Sequence, residues 1–367
     1  REKRGYQGPG QRRAGGVPFH RRHRKLVLSV VGVLVVVLGT TTAYAVWLNH
    51  RINNIPKVST EAIADRPDPD AGKALNILLL GSDKGKRIKG ENAKTNLAED
   101  AAAKVWPNGK YRSDTLMIVH ITANRKKVYL TSIPRDTYTM LYNAKGEPEH
   151  EEKINGAFSY YGPNGAIATV EHLTNVRINH LAIIDWDGFK DLSTAVGGVQ
   201  VYIPRSFYDP YQKIEWKAGL QTLKGKKALA YVRTRHGLLR GDFDRIARQQ
   251  NFLRAMMKKM LSKGVTSNPV KLTRTLAAVT SHLTIDAEWD SSDIRSLALA
   301  MRGISSDDVQ FMTAPVADTR TVPVYGDVVD LDETKSQKLW YGLRHDRVAA
   351  YLRLYPDEKL ASDRDVS

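Results

Sequence analysis

The sequence contains no cysteine. This removes disulfides, a thiolate nucleophile and Cys-ligated zinc in one step. A fixed-period repeat is also missing, which sets aside solenoids and propellers. Acidic residues are in short supply, 39 against 56 Lys and Arg, for a net charge of +17. The surplus is uneven. Residues 1–25 carry nine Arg or Lys against Glu2 alone, a charge of +8, and the remaining +9 belongs to the rest of the chain. With 42% hydrophobic residues over 367 positions, there is enough chain and enough apolar surface for a tail and one large or two small folded domains.

Charge is absent altogether from residues 26–48, LVLSVVGVLVVVLGTTTAYAVWL. Roughly 20 apolar residues cross a bilayer core, so this run reads as a transmembrane helix. Ala43-Tyr44-Ala45 also has the form of a signal-peptide cleavage site. Against cleavage, the run is longer than the roughly 7–15 residues of a signal h-region, and Trp47 stands where an interfacial aromatic anchor belongs. A buried core helix is a third reading. By the positive-inside rule the basic tail, 1–25, stays in the cytoplasm and the rest of the chain lies outside the cell membrane, anchored in a single pass. The tail is rich in Gly, Arg and Gln and is expected to be disordered near anionic headgroups. Residues 49–73, with Pro56, Pro67, Pro69 and alternating charge, read as a stalk. The chain does not begin with Met, so its natural start is expected upstream.

From 74 to 355 strand-like and helix-like runs alternate, followed by a C-terminal tail at 356–367. The run at 75–80 is a buried strand, 114–122 and 125–133 a hairpin, 180–185 a strand, and VQVYI after Gly197-Gly198 another. Helices are expected at 163–175, 187–196, 224–231, 244–263, 268–283, 290–303 and 333–354, with a further strand at 308–313. The pattern predicts an α/β fold: a layered domain with a central mixed β-sheet flanked by helices, preceded by one transmembrane helix.

Four clusters stand out. Gly81-Ser82-Asp83 places a carboxylate at the end of a buried strand, where α/β sheets bind ligands, although an Asp there is often only a turn or cap. In Arg112-Ser113-Asp114, residues i and i+2 of an extended segment share a face. Pro134-Arg135-Asp136 follows another strand. The fourth cluster joins Arg233 and Arg235 to Asp242, Asp244, Arg245, Arg248 and Gln249. If 232–236 are extended, Arg233 and Arg235 share a face; if Asp244 starts a helix, Arg245 and Gln249 do. Planar guanidinium forks match phosphate oxygens, and a helix N-terminus adds positive potential. Asp83 and Asp114 could hold a hard divalent cation through oxygen ligands. The plainer readings are a solvated basic face and carboxylates paired with its arginines.

The order NILLLGSD, RSDTLMIV, TSIPRDTY, KINGAFSYYGPNGA, WDGFKDLSTAVGGVQVYIP, LKGKKALAYVRTRH and RGDFDRIARQQ resembles the LytR-CpsA-Psr family over 75–262. The resemblance implies a phosphotransferase that moves an anionic glycopolymer, such as teichoic acid or capsule, from an undecaprenyl-pyrophosphate carrier onto peptidoglycan outside the cell, with Mg2+ (or Mn2+). It also implies residue roles. Asp83 and Asp114 hold the metal; Arg112, Arg135, Arg233, Arg235, Arg245 and Gln249 line the pyrophosphate; Arg135, Arg233, Arg235 and Asp242 form the catalytic set. The polar insert at 84–111 is a departure and is either a lid or a surface excursion. A C-terminal extension of the kind found in actinobacterial relatives is not expected.

No Ser-His-Asp or Cys-His arrangement is evident, which favours direct attack by an acceptor hydroxyl over a covalent intermediate. His236 follows the arginine pair and is expected to be a hydrogen-bond partner before a general base. The expected partners are the polyprenyl-pyrophosphate-linked glycopolymer, peptidoglycan and membrane lipid. Nucleic acid is not one of them, since the tail has no helix-turn-helix pattern. Two other functions fit the same residues: a polyprenyl-pyrophosphate hydrolase, and a non-catalytic lipid-binding regulator of the cell envelope.

Overall fold

The computed structural model describes residues 24–60, 63–69, 72–84, 97–101, 103, 105–234, 242–362 and 366; for 24–35, 37, 83, 84, 98, 101, 242 and 266 it describes the backbone alone. The chain divides into two compact units, Arg1–His50 and Arg51–Ser367. In chain order the elements begin with helix α1 (Arg24–Asn53), β1 (Lys57–Val58), β2 (Leu75–Lys84), α2 (Leu97–Ala101), β3 (Tyr111–Ile121), β4 (Val128–Ser132), β5 (Tyr138–Tyr142) and β6 (Pro148–Lys153). Then come α3 (Asn155–Thr174), β7 (His180–Asp185), α4 (Trp186–Ala195), β8 (Val199–Ile203), β9 (Phe207–Asp209), β10 (Ile214–Trp216), β11 (Gly219–Leu223), α5 (Gly225–Arg233) and α6 (Asp242–Met260). The remainder is α7 (Lys263–Thr266), α8 (Pro269–His282), β12 (Leu283–Asp286), α9 (Ser291–Ala300), β13 (Val309–Thr313), β14 (Val316–Val322), β15 (Gly326–Leu331), α10 (Glu333–Arg344) and α11 (Val348–Leu354).

The first unit is the greater part of α1. Its threonines return their hydroxyls to the helix: Thr40 Oγ1 donates to Val36 O at 2.8 Å and Thr41 Oγ1 to Leu38 O at 3.0 Å. Tyr44 stacks on Trp47 with ring centroids 5.7 Å apart. Half of the apolar run 26–48 has side chains outside the described residues. Among those described, no helix is long and apolar enough to cross a membrane.

The second unit is built on a seven-stranded sheet in the order β1-β12-β7-β2-β3-β4-β13. It is mixed: β2 runs parallel to β7 and antiparallel to β3, and β13 runs parallel to β4. The central strand β2 is apolar on both faces, with Leu78 and Leu80 buried on one and Ile77 on the other, as a strand covered on each side must be. One core packs α3, α10 and α11 against the sheet through Phe158, Ile167, Leu339 and Leu343. A second core gathers α4, α5 and α6 around β8 and β11 through Leu192, Val199, Tyr231 and Phe252.

One expectation is extended and two are corrected here. The helix read at 163–175 is the second part of α3, which begins at Asn155 and kinks at Gly162 (φ 71°) before Pro163. A side chain at Gly162 would lie 2.8 Å from Trp106. The helix read at 333–354 is two helices, broken where Asp346 takes φ 53°. Of residues 49–73, read as a stalk, those described from Arg51 on belong to the second unit and are folded into it. Lys57–Val58 pairs with β12, Ile52, Ile55 and Ile63 are buried, and Arg66 grips Glu171 with two hydrogen bonds of 2.9 and 2.8 Å.

Part of the insert is described as well. The Asp100 carboxylate of α2 pairs with Lys110 and accepts from Tyr111 Oη at 2.6 Å; burial and this carboxylate push the Tyr111 phenol pKa upward. Trp106 Nε1 donates to Ser159 O at 3.1 Å. Residues 97–111 are thus tied to α3 and β3, while 85–96 lie outside the described residues.

Candidate active site

The site begins at an irregularity between β2 and β3. Leu80 faces Leu116 and Gly81 faces Thr115, but Ser82 faces Ser113, so Asp114 is the extra residue of a β-bulge. Bulges re-aim side chains at strand ends. Gly81 permits the close approach, since a Cβ there would lie 2.9 Å from Thr115 Cβ. The bulge modifies the i, i+2 reading of Arg112 and Asp114. Ser113 between them is buried, its Oγ donating to Thr115 O at 2.8 Å, while Arg112 is exposed and Asp114 half-buried.

Arg135 follows β4 closely and turns toward the bulge. Its Nη1 donates to Asp114 Oδ1 at 2.7 Å, and its Nε lies 3.4 Å from Asp136 Oδ2. Lys153 Nζ approaches Asp136 Oδ1 at 3.5 Å. Arg112, Arg135, Asp136, Glu152, Lys153 and Tyr160 line one polar cavity of about 280 Å³. Lys153 and Tyr160 were not singled out from sequence, although both fall in the KINGAFSYYG block where β6 passes into α3. Glu152 accepts from Tyr160 Oη at 3.4 Å; burial, and then this carboxylate, raise the Tyr160 phenol pKa.

The second arginine group is arranged differently from the expectation. Residues 225–233 form a helix because Ala228, Tyr231 and Val232 make one buried apolar face. Arg233 is therefore helical, and the backbone becomes extended only at Thr234, so no shared strand face with Arg235 is set up. Arg235 and His236 lie outside the described residues, as do the side chains of Asp83 and Asp242. Arg233 sits with its guanidinium 5.6 Å from the centre of the Trp186 ring.

Arg245 and Gln249 lie one turn apart on α6 as expected, both buried. Gln249 Oε1 accepts from Thr115 Oγ1 at 3.2 Å, and its Nε2 donates to Val232 O at 3.3 Å. This side chain thereby bridges the bulge to the end of α5. Gln250 next to it fixes α6 on the strand ends, donating to Ser132 Oγ, Met312 O and Thr313 Oγ1 at 2.8, 2.8 and 3.0 Å. Arg248 faces away, 4.3 Å from the Phe207 ring centre, and burial lowers its pKa.

A second cavity, of about 250 Å³, that no motif announced, reaches the same bulge through Gly81 and Thr115. Its walls are apolar: Leu79 and Met117 from the sheet, Trp186 and Phe189 from α4, and Leu253, Met257 and Met260 from α6. Gly81, Thr115, Asp185 and Gln249 also line it.

Metal donors at the bulge are hard oxygens. Asp114 supplies a carboxylate, and the backbone of Asp83 pairs with Arg112 one strand away. Among the described residues no cluster of three His, Asp or Glu could hold a metal ion. Magnesium takes one or two carboxylates and fills its remaining positions with water and phosphate; of the two aspartates read as its ligands, Asp114 alone has its side chain among the described residues.

A profile of the LytR_cpsA_psr family matches residues 40–345. The chain belongs to this family. Within it, the chain is similar to the cell wall biosynthesis protein LcpA of Corynebacterium glutamicum, 32% identical over 289 residues that cover 71% of this chain and 54% of LcpA. The chain thus spans about half the length of that relative. It is also 32% identical to the polyisoprenyl-teichoic acid–peptidoglycan teichoic acid transferase TagU of Bacillus anthracis, over 72% of this chain and 80% of TagU. The crystal structure of Bacillus subtilis TagV superposes with a TM-score of 0.58 at 28% identity, covering 76% of this chain and 98% of TagV. The LytR_cpsA_psr fold is accordingly the mixed sheet and flanking helices described above.

Proposed function

We propose that the chain is a phosphotransferase that moves an anionic glycopolymer from a polyprenyl-pyrophosphate carrier onto peptidoglycan. The observation that carries this reading is a pair of unlike cavities at one β-bulge. Arg112 and Arg135 line a polar cavity, and Gly81 and Thr115 of the same strand ends line an apolar one, with Gln249 bordering the latter and bonded to Thr115 and Val232. A carrier with a charged pyrophosphate and an isoprenoid tail has the same two halves. The name of TagU, a transferase of polyisoprenyl-linked teichoic acid to peptidoglycan, supports the same chemistry.

In this reading the acceptor hydroxyl oxygen forms a bond to the phosphorus that bears the polymer. The pyrophosphate P–O bond breaks, its electron pair leaves with polyprenyl phosphate, and the hydroxyl proton passes to solvent. Arg112, Arg135, Arg233, Arg235, Arg245 and Gln249 hold the phosphate oxygens, and Arg135, Arg233, Arg235 and Asp242 form the catalytic set. Fixed guanidinium groups in a partly buried site oppose the growing negative charge without reorganising. Asp83 and Asp114 would hold Mg2+, which supplies further positive charge to the phosphates when bound.

The apolar run of α1 is read as a signal-anchor in the cell membrane, with the N-terminus cytoplasmic and Arg51–Ser367 outside. Threonines that bond their own helix carbonyls, as Thr40 and Thr41 do, suit an apolar surrounding.

The test supplies the purified full chain in nanodiscs with a lipid-linked anionic polymer, with and without an acceptor glycan. Transfer yields polymer-bearing glycan only when acceptor is present. Release of polymer phosphate without any transfer would make the chain a hydrolase, and binding without bond cleavage would make it a scaffold; either result overturns the proposal.

A further inference from the structure

From residue 245 to 285 the sequence holds no Asp or Glu. This stretch covers most of α6, the single turn α7, and α8. At the corner where α6 gives way to α8, the exposed side chains include Lys258, Lys263, Lys271 and Arg274. Leu261 and Val270 stand among them, 41% and 57% exposed. Lys258, in the last turn of α6, suits the negative end of the helix dipole. Lys271 and Arg274 have no such account. They stand in the first turns of α8, which has no acidic residue at its start, so the dipole opposes them.

Two other observations converge on this face. Met256, Met257 and Met260 carry the apolar cavity along α6 to the residue before exposed Leu261, so the cavity leads toward the corner. At the far end of α8, Arg51 Nη1 donates to Ser281 Oγ at 3.1 Å. Only Asn49 and His50 separate Arg51 from the apolar run 26–48, a reach of roughly 10 Å at full extension. The tether therefore keeps α8, 14 residues or about 21 Å long, within reach of any bilayer that holds that run.

We propose that this corner is a docking surface for the headgroups of anionic phospholipids, with Leu261 and Val270 entering the interface between the lysines. Cations around one or two apolar residues are the composition that anionic bilayers attract. Docking would seat the inner end of the apolar cavity against the membrane from which a carrier tail must come. The inference rests on the reading of α1 as a membrane anchor.

The absence of cysteine makes a single-site probe straightforward. The full chain carrying Leu261→Cys is labelled with an environment-sensitive dye and placed in nanodiscs of phosphatidylcholine, alone or with about a third phosphatidylglycerol. Val324→Cys, 96% exposed at the β14–β15 turn, serves as the control position. The expected result is a blue-shifted dye at 261, quenched by headgroup spin-labelled lipid, only with phosphatidylglycerol. Lys258→Glu, Lys263→Glu and Lys271→Glu combined should cut the quenching at least tenfold, with an unchanged circular dichroism spectrum. Equal signals in the two lipids, an equal response at 324, or a shift produced by soluble polyphosphate in plain phosphatidylcholine discs would each overturn docking. Flotation with the discs separates the two readings: protein that floats but gives no signal at 261 keeps the anchor and loses the docking surface, and protein that does not float loses both.

Discussion

Arg135 Nη1 and Asp114 Oδ1 meet at 2.7 Å, joining the loop after β4 to the bulged residue of β3. Each side chain is 19% exposed, so a phosphate can reach the pair. Arg135→Ala and Asp114→Ala are each expected to lower turnover about ten- to a hundredfold, the equivalent of roughly 1.5–3 kcal/mol for a charge-assisted contact. Asp114→Ala should also raise the magnesium concentration for half-maximal activity. Urea unfolding should move by less than about 1 kcal/mol, because neither group is in the core. Turnover and unfolding measured on the same samples decide it: full activity in both variants would make the pair structural.

Arg233 offers a test of geometry against charge. Lysine keeps the charge but not the planar fork or its stacking on Trp186. Arg233→Lys should lose about tenfold or more in activity, while Arg302→Lys, at an exposed position, should change little. Equal rates for the two variants would reduce Arg233 to one more surface cation.

Leu253 lines the apolar cavity from the middle of α6. Leu253→Trp would fill space that a carrier tail needs, raising KM for a long-chain polyprenyl substrate about tenfold and leaving a short-chain analogue nearly unaffected. A uniform loss with both substrates would show that the cavity is core packing.

His120 is wholly buried, with Nδ1 at 2.7 Å from Asn76 Oδ1 and Nε2 at 3.0 Å from Asp346 Oδ1. Burial lowers its pKa below the ordinary 6.5, outweighing the opposing pull of Asp346, and Arg125 adds to the lowering. Below pH 6.5 the unfolded chain then binds more protons than the folded one, so this contribution is full above that pH and lost as pH falls through it. Melting temperature should fall between about pH 6.5 and 5, and His120→Asn should flatten that slope. An unchanged slope in the variant would assign the acid sensitivity to other groups.

Local signals were legible and non-local ones were not. Strand β7 was read at its observed bounds because His180 to Asp185 is a short apolar run closed by a capping Asp, which accepts from Gly188 N at 2.6 Å. Arg135 and the Arg245/Gln249 spacing followed from strand ends and helix period. The strand Lys57–Val58 could not be read from two residues, since it exists by pairing with β12, more than two hundred positions away. The bulge at Asp114 is likewise a property of two strands in register. Helix α5 overrode the extended reading of Arg233 because burying Tyr231 and Val232 on one face outweighs a local preference. The apolar cavity is assembled from side chains on the sheet, α4 and α6, and no single stretch of sequence carries its outline.

The pairing of Lys84 with Tyr111 closes β2 onto β3 beyond the bulge. From there the chain makes a 26-residue excursion, 85–110, and returns to the same two strands. Doubling such a connection costs only about 0.6 kcal/mol in closure entropy. Leu97 enters the core and Trp106 bonds Ser159, so that small cost covers a change of length within 85–96 and leaves the strand ends in register. Swapping 85–96 between related chains is a direct way to ask whether this stretch or the strand ends on either side of it select the polymer.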